Sequence, residues 1–357
     1  MGVTRRVVGC LVILLTLRDL AHRRVRFAVV TVLGAVVFAL LFVMTGLVEQ
    51  FHREPHDTTD AIGAATWVLS EGVSGPFTAS SSLPSSMLAE LSATRVAPVV
   101  AARSSLVHDG ASEEIVLIGH RPGELGTPPL HDGRDVAGPG EVVLDASMGI
   151  DTGQRVLVSG AEFEVVGTSS DTTILAGIPL VFTSLDDAQR LIFRSTDVVS
   201  GFLVDGKLAA VPPGAIEVTA AAVADDTLQP LDGAIASVDL VRVLLWVVAA
   251  IIIGAVVYLS ALERARDFAV LKAIGSSTRT LTFSLALQAV LTALVSVAVA
   301  AVLQLLVAPA FPLKVRVPAS AFWQLPLLAV VVALLAGAAG MRRVARSDPA
   351  MAFSGGA

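Results

Sequence analysis

Four long apolar stretches organise the sequence, and between the first and second of them the pattern changes character. A helix needs about 20 apolar residues, at about 1.5 Å rise each, to cross a hydrocarbon layer roughly 30 Å thick. Phe27 to Val48 and Val243 to Leu262 meet that length without a charged side chain. Leu281 to Val307 does so with Gln288 and Gln304 as its large polar interruptions, and Phe322 to Met341 with Gln324 alone. An earlier run, Val7 to Leu17, is about half the length required and leads into Arg18, His22, Arg23, Arg24 and Arg26, which predicts an amphipathic helix on the inner membrane surface. A signal peptide would share the basic start at Arg5 and Arg6, but no small-residue cleavage site follows.

Between Glu49 and Ser237 the period falls to two. Thr66 to Leu69, Val96 to Val107, Glu114 to Ile118, Glu141 to Leu144, Gln154 to Val158 and Glu162 to Gly167 are β-branched runs separated by Gly, Pro, Asp and Ser, the strand pattern. The last two, joined at Ser159-Gly160-Ala161, predict a hairpin. Leu83 to Leu91 and Ser184 to Phe193 predict short helices, the second capped by Ser184 with Asp186 and Asp187 in its first turn. The fold class is therefore a membrane α-helical bundle of four transmembrane helices with an inserted extracytoplasmic mixed α+β domain.

Charge sets the orientation. Six basic residues lie before the first span, Arg264, Arg266, Lys272 and Arg279 follow the second, and Arg342, Arg343 and Arg346 follow the fourth. The other side has a short loop with only Lys314 and Arg316, so the arginine-rich segments, and both termini, are expected in the cytoplasm. The expected division is 1–26 amphipathic segment, 27–48 first span, 49–237 outer domain, 238–262 second span and 263–280 cytoplasmic helix. After these come 281–308 third span, 309–321 outer loop, 322–341 fourth span and 342–357 tail. Residues 49–237 hold 26 acidic and 9 basic residues, net −17, whereas the remainder holds 5 and 16, net +11, which recovers the chain's −6. An acidic domain of this kind makes nucleic acid a poor partner. Composition agrees with lipid as solvent: 54% of residues are apolar and 16% charged, with mean hydropathy +0.76, where a soluble chain has about a quarter charged. Cys10 is the sole cysteine, so no intramolecular disulfide or cysteine metal cluster can form.

The segment richest in functional information is Ala261 to Leu281, which follows the second span. Glu263 to Ile274 have high helix propensity, Gly275 suits a C-cap, and Ser276 or Ser277 can cap the next helix. Phe268, Leu271 and Gly275 share one face, with Ala265, Ala269 and Lys272 beside them and Glu263, Arg266 and Asp267 toward the start. A small apolar knob ringed by charge suits a partner's groove, and a helix that only covers lipid headgroups would look similar.

Glu263-Arg264, Asp267-Phe268-Ala269 and Lys272-Ala273-Ile274-Gly275-Ser276 resemble the cytoplasmic coupling helix of FtsX/MacB-type ABC transporter permeases, a family with DevC-like and LolE-like members. Asp267 stands where Glu is more usual, which keeps the carboxylate and shortens its reach. Thr16 to Gly34 is similar to the family's lead into its first span, and Arg342 to Phe353 to its closing segment. Glu141 to Gly167 and Val181 to Leu191 are similar to its outer core domain, and Asp57 to Gly140 is the portion that matches least. The resemblance implies a type VII ABC system, with a dimer of cytoplasmic ATPase subunits docking on Glu263, Arg264, Arg266, Asp267, Phe268, Leu271, Lys272 and Gly275. It implies as further partners a second permease copy or paralogue, membrane lipid and an extracytoplasmic adaptor. Export of a lipid, lipoprotein, peptide or drug is one implied role, and mechanical activation of an extracytoplasmic cell-wall hydrolase or signalling partner is the other.

The spans' lack of ionisable residues argues against a proton-coupled pathway. Gly201 to Leu208 copies seven positions of a phosphate-binding loop, yet Leu208 occupies the Ser/Thr position and "AAVPPG" follows in place of a helix, so a strand and turn are expected. His52 and His56, four apart beside Asp57, could face a metal, although a solvated helix exit has the same pattern. With no catalytic signature in the chain, ATP hydrolysis is assigned to a partner, and no cofactor is expected.

Overall fold

The computed structural model describes residues 24–263, 278–310 and 315–345. The expected amino-terminal surface helix, the segment Arg264 to Ser277 and the tail from Arg346 lie outside the described residues.

The first apolar run becomes helix α1 (Arg24–Ile62), which continues past Val48 and through Pro55. Thr59 donates its hydroxyl to the Pro55 carbonyl at 2.8 Å, and Gly63, at φ +76°, ends the helix with its N–H on the Asp60 carbonyl. Ten strands follow: β1 (Thr66–Ser70), β2 (Leu83–Pro84), β3 (Arg95–His108), β4 (Ala111–His120), β5 (Leu130–Gly133), β6 (Glu141–Asp145), β7 (Arg155–Val158), β8 (Ala161–Ser169), β9 (Thr173–Ile174) and β10 (Ile178–Ser184). Helix α2 (Leu185–Ile192) comes next, then β11 (Val198–Val199), β12 (Gly201–Asp205) and β13 (Ala215–Thr219), helix α3 (Ala220–Leu228) and helix α4 (Asp232–Glu263). Helices α5 (Thr278–Val307) and α6 (Ala321–Ala345) complete the described chain.

One eleven-stranded sheet runs β13, β1, β12, β3, β4, β10, β6, β8, β5, with β7 paired to β3 and β8, and β9 to β10. Most pairs are antiparallel, but β10 lies parallel to β4, and β6 to β8. Side chains alternate between two buried clusters. Trp67, Leu69, Val99, Val116, Ile118, Leu180, Phe182 and Leu203 fill one face, and Val68, Val100, Ile115, Leu117, Val181, Phe202 and Val204 the other. A sheet covered on both faces needs apolar residues at consecutive positions, which is what these strands supply. The β7–β8 hairpin turns at Ser159 and Gly160, both at positive φ (50° and 83°), the geometry of a type I′ turn. The short helix expected over Leu83 to Leu91 forms as a 3-10 helix over Ser85–Glu90, after the two-residue strand Leu83–Pro84.

The chain divides into two compact units, one of them Gln50–Ile235 and the other built by the helices on either side of it. In the helical unit Ala35, Phe38 and Phe42 of α1, Ala249 and Ile253 of α4, Ala289, Ala293 and Ala300 of α5, and Ala321, Leu325, Ala329 and Ala333 of α6 form one core. Three stretches among the described residues are long and apolar enough to cross a membrane, Phe27–Ile62, Ala220–Ala255 and Ala286–Ala310, and Ala321–Leu335 is a shorter apolar helix.

Candidate functional site

The residues singled out by sequence flank and fill the connection between α4 and α5. Glu263 is the last residue of α4, and α5 begins at Thr278. Arg264, Arg266, Asp267, Phe268, Leu271, Lys272 and Gly275 lie outside the described residues.

In the unit Gln50–Ile235, the polar side chains that burial isolates are held by specific partners. Glu54, on α1 and 4% exposed, accepts from the backbone N–H groups of Ala176 (3.1 Å) and Gly177 (2.8 Å). Leu175, Ala176 and Gly177 all have positive φ (53°, 67° and 99°), and such a run turns successive N–H groups toward an anion. One turn on, the Thr58 hydroxyl donates to the Thr173 carbonyl. A buried carboxylate without such donors would be costly, so Glu54 fastens this part of α1 to the loop that precedes β10.

A second anchor is Asp145 at the end of β6, which accepts from the N–H and hydroxyl of Thr172, each at 2.8 Å, and from the Ser147 N–H. Ser184 caps α2 by accepting from the Asp187 N–H at 3.1 Å, as its sequence position predicts. Gln189 donates to the Thr196 and Val198 carbonyls at 2.8 Å and tethers α2 to the following loop. Arg134 meets Glu141 in a two-pronged ion pair at 2.6 and 2.8 Å. That guanidinium, helped by the Ala137 and Gly138 N–H groups, lowers the Glu141 carboxyl to about 2 against the opposing effect of burial.

The other candidates resolve into structural contacts. His56 faces Asp225 at 3.8 Å, and no group of three or more metal-ligating side chains occurs among the described residues. Gly201–Asp205 is strand β12, between β1 and β3, and Gly206 turns at φ +96° against Thr94. The next element is β13, so the phosphate-loop geometry of a strand running into a helix does not form. Sequence reasoning missed Glu54 and Thr58, whose partners lie 115 to 123 residues away. Within the run His52 to Asp60, Glu54 looks like any solvated carboxylate, and no local signal marks it.

Residues 240–349 match the FtsX-like permease C-terminal family. A protein of Mycobacterium bovis named as an uncharacterized ABC transporter permease is 39% identical over 343 residues, covering 95% of this chain and 98% of that one. A second, from Mycobacterium tuberculosis and named in the same way, is 36% identical over the same coverage. Among solved structures, the extracellular domain of the ABC-type transporter YknZ from Gram-positive bacteria overlaps 40% of this chain and 84% of its own, at 16% identity and TM-score 0.32. The periplasmic region of MacB from Actinobacillus actinomycetemcomitans overlaps 48% and 95%, at 15% identity and TM-score 0.34. The two mycobacterial relatives match almost end to end, and the chain belongs to the FtsX-like family of ABC transporter permeases.

Proposed function

We propose that this permease is the membrane-spanning subunit of an ABC exporter, in which ATP hydrolysis by a separate cytoplasmic ATPase dimer moves the outer domain to export a lipid, lipoprotein, peptide or drug. The observation that carries this reading is the family match over residues 240–349, which takes in the whole segment Glu263 to Gly275. That segment is the docking element: Phe268 and Leu271 enter a groove on the ATPase, and Glu263, Arg264, Arg266, Asp267 and Lys272 surround them with charge. Four spans, with both termini in the cytoplasm, place this segment on the ATP side and residues 49–237 on the other.

A second permease, identical or paralogous, completes the assembly. The large apolar side chains along one side of α4 suit lipid or such a partner, Leu244, Val247 and Ile251 being 54%, 50% and 63% exposed. The test is to purify the chain from its native membrane in detergent and identify every subunit that accompanies it. An ABC ATPase and a second permease are expected. Recovery of the chain without an ATPase would overturn the reading, and a stoichiometric cell-wall hydrolase would shift it from export to mechanical activation.

A further inference from the structure

Helix α1 contains a weak point of its own. Pro55 carries no N–H for the Phe51 carbonyl four residues back, so one rung of the helical ladder is absent between residues 51 and 55. Sharp bends in long helices occur at such prolines. Beyond Pro55 the helix is fixed to the sheet. The Thr58 hydroxyl donates to the Thr173 carbonyl, the Ile62 carbonyl accepts from the Gly126 N–H at 3.0 Å, and Ile62 lies in the core cluster that holds Trp67 and Phe182. On the near side of the break stands Glu54, whose carboxylate is held by the turn at 175–177.

That turn joins β9 to β10, with Ile174 paired to Ile178, and its shape depends on Glu54. Leu175, Ala176 and Gly177 follow one another at φ +53°, +67° and +99°. Glycine adopts such angles freely, but the Cβ atoms of Leu175 and Ala176 crowd the backbone there, and neither residue has the short polar side chain that lets Asn or Asp sit in this region. A strained conformation of this kind persists only where its surroundings hold it. Here Leu175 is packed in the core, and the Ala176 and Gly177 N–H groups donate to Glu54 Oε2 and Oε1 at 3.1 and 2.8 Å. The dependence runs both ways, because a carboxylate only 4% exposed needs those donors. Each half is unfavourable without the other, so the contact is made or broken as one unit.

We propose that Pro55 is a hinge in α1 and that Glu54, seated in the turn at 175–177, is its lock. When seated, the carboxylate ties the helix on the near side of Pro55 to the same β9–β10 hairpin that Thr58 grips on the far side. The absent rung is then spanned, and α1 holds one direction. When the carboxylate leaves, the segment before Pro55 bends about the break while Thr58 to Ile62 stay in place, and the turn relaxes toward ordinary backbone angles. Glu54, Pro55, Thr58 and the hairpin all belong to the unit Gln50–Ile235, and the device does not depend on which task the permease performs.

The test uses the full-length chain in an uncharged maltoside detergent, with Cys10→Ser and nitroxide labels on Val36→Cys, in α1 before the hinge, and Glu113→Cys, in β4. Both positions are exposed. With Glu54 and Pro55 intact, pulsed electron resonance should read one narrow distribution of label-to-label distance. Glu54→Ala should broaden it. Adding Pro55→Ala to Glu54→Ala restores the missing N–H and should narrow the distribution again. In Glu54→Ala, amide exchange at Gly177 should quicken about tenfold or more, since a bond to a charged acceptor is lost. Exchange at Val181 and Phe182, within β10, should stay as in the intact chain, which shows that the fold survives. A distribution unchanged by Glu54→Ala would remove the lock, and equal broadening in the double variant would remove the hinge. An equal rise in exchange at Val181 and Phe182 would make Glu54 a plain core contact, and any of these three results overturns the proposal.

Discussion

The sheet domain and the membrane helices draw on the same residues, chiefly Val, Leu and Ala, yet bury them by opposite rules. In the sheet domain the large side chains are inside: Trp67, Phe182, Phe202, Ile118 and Leu144 are fully buried. Along α5 and α6 the small ones are inside, Ala289, Ala293, Ala300, Ala329 and Ala333, while Leu305, Leu306 and Leu335 are 65%, 74% and 67% exposed. Water drives the first arrangement, since removing apolar area from it is the main source of stability. Lipid offers no such drive, so helices associate where small residues allow close approach and large ones are left to the hydrocarbon. Polar groups follow the same division. Asp145 and Gln189 in the sheet domain meet several partners each, whereas α5 buries Gln288, Thr292, Ser296 and Gln304 along one helix. Spaced mostly by four, these place hydrogen-bonding groups on the side of the helix that the bundle covers.

This contrast predicts which direction of substitution harms which region. Truncation should hurt the sheet domain most. Phe182→Ala removes a fully buried ring from the central strand β10 and should cost about 3 to 5 kcal/mol, read as a lowered unfolding temperature of the full chain in detergent. Leu306→Ala, the same kind of truncation on an exposed face of α5, should stay within about 0.5 kcal/mol. A large loss at Leu306 would break the comparison.

Enlargement should hurt the helices. A Cβ at Gly34 would lie 2.8 Å from the Ser296 hydroxyl oxygen, so Gly34→Leu must push α1 from α5, at about 1 to 3 kcal/mol by the same assay. An unchanged unfolding temperature would mean that close packing does not hold this pair.

The smallest expected effect is the response of the sheet domain to acid. Glu141 is lowered to about 2 by Arg134 and two backbone N–H groups, so its ionised form stabilises the folded domain. That contribution is fully present above about 4.5 and is lost as pH falls toward about 2. Glu141→Gln should therefore flatten the stability profile across that window and leave it parallel to wild type above it. A profile as steep as wild type through the window would remove Glu141 from the account.

Much of this architecture is legible in the sequence, and the gaps have physical causes. Thr66–Ser70, Arg95–His108 and the β7–β8 hairpin follow from β-branched runs and turn residues, and Ser184 from its place before Asp186 and Asp187. Strand β10 carries no period-two signal, because Leu180, Val181 and Phe182 are buried on both faces of the sheet. The extension of α1 to Ile62 is hidden for a different reason. Glu49 to Asp60 is too polar to continue an apolar run, and what sustains the helix there includes the contacts of Glu54 and Thr58 with a distant loop. Local pattern cannot report a partner 122 residues away. The segment Glu263 to Gly275 presents the converse case, since its meaning came from residue order and family likeness and not from packing.

The central claim is that this segment transmits work from an ATPase, and one measurement addresses it directly. The ATPase is copurified with wild-type, Phe268→Ala and Asp267→Lys chains, and the stimulation of ATP hydrolysis is recorded for each. A buried apolar anchor cut to alanine should cost about 2 to 4 kcal/mol at the interface, a weakening on the order of 30-fold or more. Reversing the Asp267 charge should also weaken the complex if the carboxylate meets a basic residue. The account predicts that both variants lose the ATPase and its stimulation while wild type keeps them. Equal retention and equal stimulation in all three would show that Glu263 to Gly275 is not the coupling element.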